Sequence, residues 1–219
     1  MLPPEYFRFF KDLEKNNNKA WFDDHRSNYE THVRKPFIAL VQSTIDAIRT
    51  VEPTLAMAPK DALFRINKDI RFSKDKTPYK THMAAHISLY GRKAMGKPGL
   101  YFEANATGGM VAGGCYMPDK EELALYRDLI MHEGADLHKA IKKKAFRDAF
   151  GELRGDKNKI LPPEFRAAAE KQPLLFNKQF FYWTTLSKVE ISGSNAAKNL
   201  LKYYTTAKPI HDFFSRVLS

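Results

Sequence analysis

The sequence predicts an α+β fold in which N- and C-terminal helices pack on a mainly antiparallel central sheet. Segments that alternate apolar and polar residues cluster between Ala62 and Cys115, and no helical segment separates them. The glycines of the turn 107–109 lie between two of these segments, where they favour a hairpin. Apolar residues at helical spacing precede and follow this region, so helices are expected at both ends of the chain.

The N-terminal helices are predicted from proline positions and apolar stripes. Pro3 and Pro4 suit the first turn of a helix that should end at the three asparagines 16–18. A second helix follows, and Pro36 should end or kink it while opening a third. The third helix carries the clearest apolar stripe, which is formed by Phe37, Leu40, Val41, Ile45 and Ile48. The segment 51–60 contains two prolines and is interpreted as a linker.

The strands are predicted from period-two alternation and from composition. A first strand should begin near Phe64, and a second should occupy 82–90. A hairpin is expected to join strands at 100–106 and 110–115, because the glycines of its turn tolerate positive φ. The segment 180–186 is rich in aromatic and β-branched residues and is the last strand candidate.

The later helices are predicted from their capping residues. Asp119 and Glu122 fit a capping box, and a separate helix is expected over 135–150. A closing helix should be capped by Ser192 or Ser194. With no internal repeat or convincing boundary, the chain is predicted to be a single α+β domain over residues 1–219. Its 43% hydrophobic content, with 13% aromatics, can fill a substantial core.

The charge and the cysteine content indicate the expected partners and cellular compartment of the protein. The net charge of +11 favours acidic partners such as nucleotides, nucleic acid or an anionic membrane surface, through a field that salt weakens. The single cysteine, Cys115, excludes an intrachain disulfide and fits a reducing compartment. The N-terminus does not resemble a signal peptide and no apolar run reaches membrane-spanning length, so a cytoplasmic protein with no membrane partner is expected.

The run Phe64–Lys80 is the candidate functional centre. It contains six Lys/Arg and two Asp, a net charge of +4, with apolar residues between the charges. Because the charges stand on predicted strand, turn and loop rather than on a helix stripe, they could converge on one anionic ligand. The predicted ligand-binding residues are Arg65, Lys68, Asp69, Arg71, Lys74, Lys76, Tyr79, Lys80, His82 and Tyr116.

Four interpretations of this run remain open. The leading one is a cytoplasmic protein that binds a phosphate-containing small molecule or a nucleic-acid backbone. An enzyme would place a phosphoester or nucleotide on the same cations and give Asp69 or His82 an acid/base role. A third is a protein-interaction module with an acidic partner. A fourth is an exposed ion-pair ladder in which Asp69 and Asp75 neutralise their neighbours.

The sequence predicts no catalytic set, cofactor or metal site. His82 and His86 would lie about 13 Å apart on a strand, at about 3.3 Å per residue, which is too far to share a metal ion. Cys115 is interpreted as a small buried hydrophobe, and the lysines 142–144 as a solvated helix face. Sequence-specific DNA binding is disfavoured, since no recognition helix is visible. Asp69 is expected to stay ionised and to orient Arg65 and Arg71.

Three motifs carry a resemblance to a known family. They are NNNKAWFDDHRSNY, FRINKDIRFSKDKTPYKTH and GGCYMP, and together they resemble a widespread bacterial and fungal family known only as a domain of unknown function. The resemblance covers the full length, and its signature is matched at 64–66, Asp69, 71–76 and 78–80. Similar proteins tend to have His-Pro where this chain has Gln172-Pro173. The family implies no activity, so the function stays open.

Overall fold

The computed structural model describes residues 1–218, and their strands form one four-stranded antiparallel sheet in the order β1-β2-β3-β4. The strands are β1 (His82–Ile87), β2 (Leu100–Asn105), β3 (Gly108–Cys115) and β4 (Phe180–Ser187). The strands are accompanied by helices before, between and after them, so the predicted α+β class is confirmed.

In the sequence, helices lie before β1, between β3 and β4, and after β4. Before β1 lie α1 (Pro4–Lys15), α2 (Lys19–Asp24), α3 (Arg26–Asn28), a π-helical turn (Tyr29–Arg34), α4 (Lys35–Arg49) and α5 (Pro59–Ala62). Between β3 and β4 lie α6 (Lys120–Lys142), α7 (Lys144–Phe150), α8 (Pro163–Ala169) and a 3₁₀ turn (Pro173–Phe176). The chain ends with α9 (Lys188–Ser192) and α10 (Ala196–Ser215). No helix of the described chain is long and apolar enough to cross a membrane.

The described residues cluster into two compact units, and each has its own core. The first unit comprises residues 1–87, 101–111 and 185–201, and the second comprises 88–100, 112–184 and the residues from 202 onward. The prediction of a single domain over 1–219 therefore stays a prediction.

Helix α1 is anchored to β2 in the first unit. The Tyr6 hydroxyl donates a hydrogen bond to the carbonyl oxygen of Ala104 at 3.0 Å. The Phe37 ring of α4 lies 5.6 Å from the Phe102 ring and 6.4 Å from the Tyr6 ring, measured between centroids. Pro36 stands in the first turn of α4, where its missing N–H is tolerated, and the π-helical turn directly precedes α4.

Aromatic rings and satisfied polar groups form the core of the second unit. The Tyr182 and Phe150 rings lie 4.4 Å apart, and the Tyr182 hydroxyl is 2.6 Å from His211 Nε2. The Tyr126 hydroxyl donates to the carbonyl oxygen of Gly96 at 2.9 Å. Cys115 is fully buried, as predicted, and burial raises the pKa of its thiol well above the ordinary value.

Two helix boundaries differ from prediction. The helix predicted over 135–150 is divided: residues 135–142 belong to α6, which continues through Gly134, and residues 144–150 form α7. A Cβ atom at position 134 would lie only 2.8 Å from the nearest atoms of the Gln172 side chain, so glycine leaves room for that side chain. Ser192 does not cap the closing helix, because it is the last residue of the separate short helix α9, which Ser187 opens by a capping box with Glu190. The alternative cap, Ser194, stays a prediction.

Candidate functional site

Residues 64–80, called the basic loop from here on, leave the sheet beside β1 and return to it. The Phe64 N–H donates to the carbonyl oxygen of Ala84 at 3.0 Å, which ties the start of the loop to β1. The loop's two ends then pair with each other: the Lys68 N–H donates to the Pro78 carbonyl at 2.9 Å, and the Lys80 N–H to the Ile66 carbonyl at 2.8 Å.

The strand predicted to begin near Phe64 does not form. Only isolated antiparallel bridges occur, between Leu63 and Ala85 and between Asn67 and Tyr79. Pro78 has no N–H to extend the pairing. The segment 69–77 consequently projects as an excursion rather than as regular strand.

Polar side chains of the excursion fix its backbone. Asp75 Oδ1 accepts hydrogen bonds from the Thr77 N–H at 2.9 Å and the Thr77 hydroxyl at 2.8 Å. The Asp75 N–H donates to Ser73 Oγ at 3.2 Å, and Lys76 Nζ donates to the carbonyl oxygen of Ile70 at 3.0 Å. Such local bonds compete with sheet pairing and hold the segment 69–77 in an irregular conformation.

Asp69 is paired with Arg71 in a bidentate contact. Arg71 Nε donates to Asp69 Oδ1 at 2.9 Å and its terminal nitrogen donates to Oδ2 at 2.7 Å. These hydrogen bonds are the main cause that lowers the pKa of Asp69 to about 2, and the charge of Arg65 contributes only slightly. Asp69 is therefore ionised at neutral pH, as expected, and it orients Arg71 directly. The expected contact of Asp69 with Arg65 is not found among the described residues.

Lys68 is paired with the second aspartate of the loop. Its Nζ donates to Asp75 Oδ2 at 2.7 Å and to the Thr77 hydroxyl oxygen at 2.6 Å. The hydrogen bond from Lys68 to Asp75 is the main cause that lowers the pKa of Asp75 below its usual range. The interpretation as an ion-pair ladder thus accounts for two of the six cations, Lys68 and Arg71.

The other four cations are not neutralised by the loop's own aspartates. Arg65 and Lys74 are exposed and form no ion pair within residues 1–218. Lys76 uses one donor on a carbonyl group, as described above. The Lys80 ammonium lies over the Phe64 ring, 5.3 Å from its centroid.

A histidine, a carboxylate and a tyrosine lie together where the basic loop meets the sheet. His82 Nε2 is 3.5 Å from Glu103 Oε2, and the Tyr101 hydroxyl donates to the same oxygen at 2.6 Å. The His82 and Glu103 side chains are 27% and 16% exposed, so both are partly shielded from water. This set, called the polar cluster below, is supplied by the neighbouring strands β1 and β2.

The basic loop acts electrostatically on the polar cluster. Burial is the largest cause that lowers the pKa of His82, while the nearby Glu103 carboxylate opposes it. The positive charges of Lys80 and Lys68 lower this pKa further, which places both lysines within electrostatic reach of the imidazole. His82 is therefore mainly neutral at pH 7, beside two cations.

Sequence reasoning named His82 but missed its partners. Tyr101 and Glu103 alternate with buried residues along β2, so the period of two could have placed both side chains on one face of that strand. The pairing of β1 with β2, however, cannot be read from the sequence.

An aromatic contact joins the basic loop to the polar cluster, because the centroids of the Phe64 and Tyr101 rings lie 6.0 Å apart.

The two predicted tyrosines have different surroundings. Tyr79 is 5% exposed, and its ring stacks on Phe22 at 4.0 Å between centroids. The Asn17 side chain bonds both the N–H and the carbonyl group of Tyr79, at 3.1 and 2.9 Å. Tyr79 thus anchors the basic loop in the core of the first unit. Tyr116 belongs to the second unit, where its 45% exposed ring meets Phe181 edge-on.

The comparisons with known proteins identify a family. The model of a family described as conserved hypothetical protein (DUF2461) matches residues 5–213, so the chain belongs to this family. The resemblance inferred from the motifs is thereby confirmed at nearly full length. No match was found among curated proteins or among solved structures. The family description names no activity.

Proposed function

We propose that this protein binds a phosphate-containing anion, either a small molecule or a nucleic-acid backbone, where the basic loop meets the polar cluster. One observation carries the proposal: the half-buried Phe64 ring lies next to both the Lys80 ammonium and the Tyr101 ring, so a cation of the basic loop stands beside the polar cluster. The charges of Lys80 and Lys68 also contribute to the lowered pKa of His82. A lysine ammonium has three donors, of which Lys68 gives two to Asp75 and Thr77, and a phosphate oxygen is a strong acceptor for the third.

Aromatic rings next to these lysines add a second type of contact. The Phe64 ring lies between Lys80, 5.3 Å away, and Tyr101, 6.0 Å away, and it is only half-buried. A ligand that combines a phosphate with a planar group, as a nucleotide does, would match both features. The exposed Arg65 and Lys74 and the net charge of +11 would attract such a ligand from a distance.

A thermal-shift panel tests the proposal. The wild-type protein is heated with ATP, ADP, tripolyphosphate and heparin at low and high salt. We expect at least one phosphate ligand to raise Tm at both salt concentrations, because a site with defined donors keeps part of its affinity when bulk charge is screened. Equal stabilisation by every polyanion, lost at high salt, would mean that the net charge alone is responsible.

A matched pair of double variants assigns the effect to the site. Lys68→Ala/Lys80→Ala and Lys142→Ala/Lys143→Ala remove the same charge from different places. We expect the first to abolish the stabilisation by the phosphate ligand and the second to retain it. Equal losses in both would reject this location for the site.

The polar cluster favours an enzyme as a second candidate function. A neutral His82 held by Glu103 is suited to accept a proton, whereas Asp69, with its pKa of about 2, is a weak base at neutral pH. If ATP or ADP proves to be a substrate, His82→Ala should reduce phosphate release by about 10² to 10⁴-fold while ligand binding persists. Binding with no release by the wild-type protein would reject this candidate.

The proposal includes a cytoplasmic location, which the single cysteine supports because cytoplasmic proteins rarely form structural disulfides. A protein-interaction role would use the same basic loop against an acidic partner. The panel separates this role from ligand binding, since an interaction module would gain no salt-resistant stabilisation from any of the phosphate compounds.

A further inference from the structure

The basic loop presents an aromatic ring to solvent. Phe72 is 96% exposed, the largest exposed fraction among the large hydrophobic side chains of residues 1–218. Single exposed apolar residues are common, but an almost completely exposed aromatic ring within a run of cations is a different feature. The Arg71 guanidinium lies 5.9 Å from the centre of the Phe72 ring.

The segment that carries Phe72 is held by its own contacts. Arg71, on one side, is clamped by both oxygens of Asp69. On the other side, Lys76 Nζ reaches back to the carbonyl oxygen of Ile70, and the Ser73 N–H donates to the same oxygen at 3.4 Å. The ring is therefore displayed on a braced turn, so ordering it on a partner costs less conformational entropy than ordering a free chain.

We propose that Phe72 stacks on a base of single-stranded nucleic acid while Lys74 and Lys76 contact the flanking phosphates. Aromatic rings beside cations are the usual means by which proteins bind single strands without sequence preference, because every base offers a π-face. Lys74 is exposed and unpaired within the described chain, and Lys76 retains donors beyond the one given to Ile70. This inference rests on the proposed function and deepens it by naming a polymer as the ligand.

An anionic membrane fits the same loop less well. Phe72 is the one fully exposed large hydrophobic residue between positions 64 and 80, and Ile70 beside it is half-buried. Interfacial membrane binding relies on an extended apolar face together with basic residues, and one ring supplies little of that area. Duplex nucleic acid also fits less well, because its bases are already stacked on one another.

The test is fluorescence anisotropy with a labelled oligothymidylate of about 12 nucleotides, a length within the range that one single-strand-binding domain covers. The second probe is an abasic strand of the same length, which keeps the phosphates and lacks the bases. The proteins compared are the wild type, Phe72→Ala, Phe72→Leu, Phe72→Trp and Ile160→Ala. Ile160 is 75% exposed and controls for the loss of an exposed apolar side chain.

We expect the wild type to bind the thymidylate strand about 10-fold or more tightly than the abasic strand, as one stacked base contributes. Phe72→Ala and Phe72→Leu should bind both strands equally weakly, since neither offers a ring. Phe72→Trp should keep the preference, and Ile160→Ala should behave as wild type. Because Phe72 is almost fully exposed, the variants should melt like the wild type, which circular dichroism checks.

The contrary outcomes are distinct. Two results overturn the stacking inference: equal binding of both strands by the wild type, or an unchanged preference for the thymidylate strand in Phe72→Ala. The proposed phosphate site still stands in either case if Lys68→Ala/Lys80→Ala weakens binding. No effect of that lysine pair on any phosphate compound overturns the proposed function itself. Tight binding to phosphatidylserine vesicles that Phe72→Leu preserves, without strand binding, overturns the inference in favour of a membrane.

Discussion

The basic loop and the lysine run 142–144 are both rich in positive charge, and they differ in what surrounds that charge. Lys142 ends α6, Lys144 begins α7, and all three lysines are exposed on helical backbone or between helices, as the sequence predicts. Lys144 pairs with Asp148 one turn later, a common arrangement on a solvated helix. The basic loop instead projects from a sheet edge and brings its lysines to a half-buried histidine, a carboxylate and aromatic rings.

Charge density alone therefore does not define a binding site. Exposed ion pairs on a helix contribute little and recruit nothing specific. In the basic loop, by contrast, the core contact of Tyr79 fixes the base and local hydrogen bonds fix the tip. Cations held in this way need less ordering when a ligand arrives.

The largest expected effect comes from removing the anchor of the basic loop. Tyr79→Ala deletes a ring that is 5% exposed and stacked on Phe22. We expect a loss of about 3 to 5 kcal/mol in the free energy of unfolding, typical of aromatic-to-alanine changes in a core. The basic loop should then lose the core contact that fixes its base. Urea unfolding measures the loss.

Tyr116→Ala is the matched control for the anchor. It removes the same type of ring from a position that is 45% exposed, so its loss of stability should be much smaller. Similar losses in the two variants would show that the Tyr79 ring has no special part in holding the loop.

The pH dependence of stability gives a smaller effect. The native pKa of His82 is lowered, mainly by burial, while the unfolded chain has the ordinary value near 6.5. The unfolded state consequently binds more protons between these two values, and stability falls as pH drops through this interval. Each pKa unit between the two states corresponds to about 1.4 kcal/mol.

His82→Gln should flatten this part of the stability curve, because glutamine does not titrate. His132→Gln is the control, since the His132 side chain is 64% exposed. Chemical denaturation from pH 5 to pH 8, a range that covers the ordinary histidine pKa, compares the three proteins. A wild-type curve that matches His82→Gln throughout would contradict the lowered pKa.

The smallest expected effect is that of Asp69→Asn on stability. The pair between Asp69 and Arg71 is exposed, so Tm should hardly change at neutral pH. Ligand affinity should fall modestly, because Arg71 and the neighbouring ring lose their orientation. Calorimetric titration with the best phosphate ligand measures this. Retained affinity with lost turnover would instead assign Asp69 to proton transfer.

Local signals in the sequence were sufficient for much of the fold. The capping box of Asp119 and Glu122 depends on neighbouring residues and was confirmed. The hairpin also forms, but its turn lies at 106–107, and the predicted turn glycines Gly108 and Gly109 begin β3. The strand expected near Phe64 is reduced to isolated bridges at Leu63 and Asn67, and the segment that follows is held by its own side chains. The helix start expected at Ala135 is absent because α6 continues through Gly134, where the missing Cβ leaves room for Gln172 from a distant segment.

The site was only partly predictable for the same reason. The basic run was visible as composition, and the aspartates within it were correctly expected to pair with neighbouring cations. Tyr79 looked like a ligand contact among cations, but its role depends on Phe22 and Asn17, which lie far away in sequence. Glu103 and Tyr101 join His82 only through pairing of β1 with β2. Contacts of this kind have no local signature.

The most direct test of the central claim is the pKa of His82, followed by NMR with and without tripolyphosphate. The assignment of the His82 signal comes from the spectrum of His82→Gln. In the free protein we expect a pKa below the ordinary value, since burial and the charges of Lys68 and Lys80 lower it. A bound phosphate would neutralise those charges, so saturation with tripolyphosphate should raise the pKa of His82. Tripolyphosphate binding that leaves the pKa of His82 unaltered would contradict the claim that the anion binds where the basic loop meets the polar cluster.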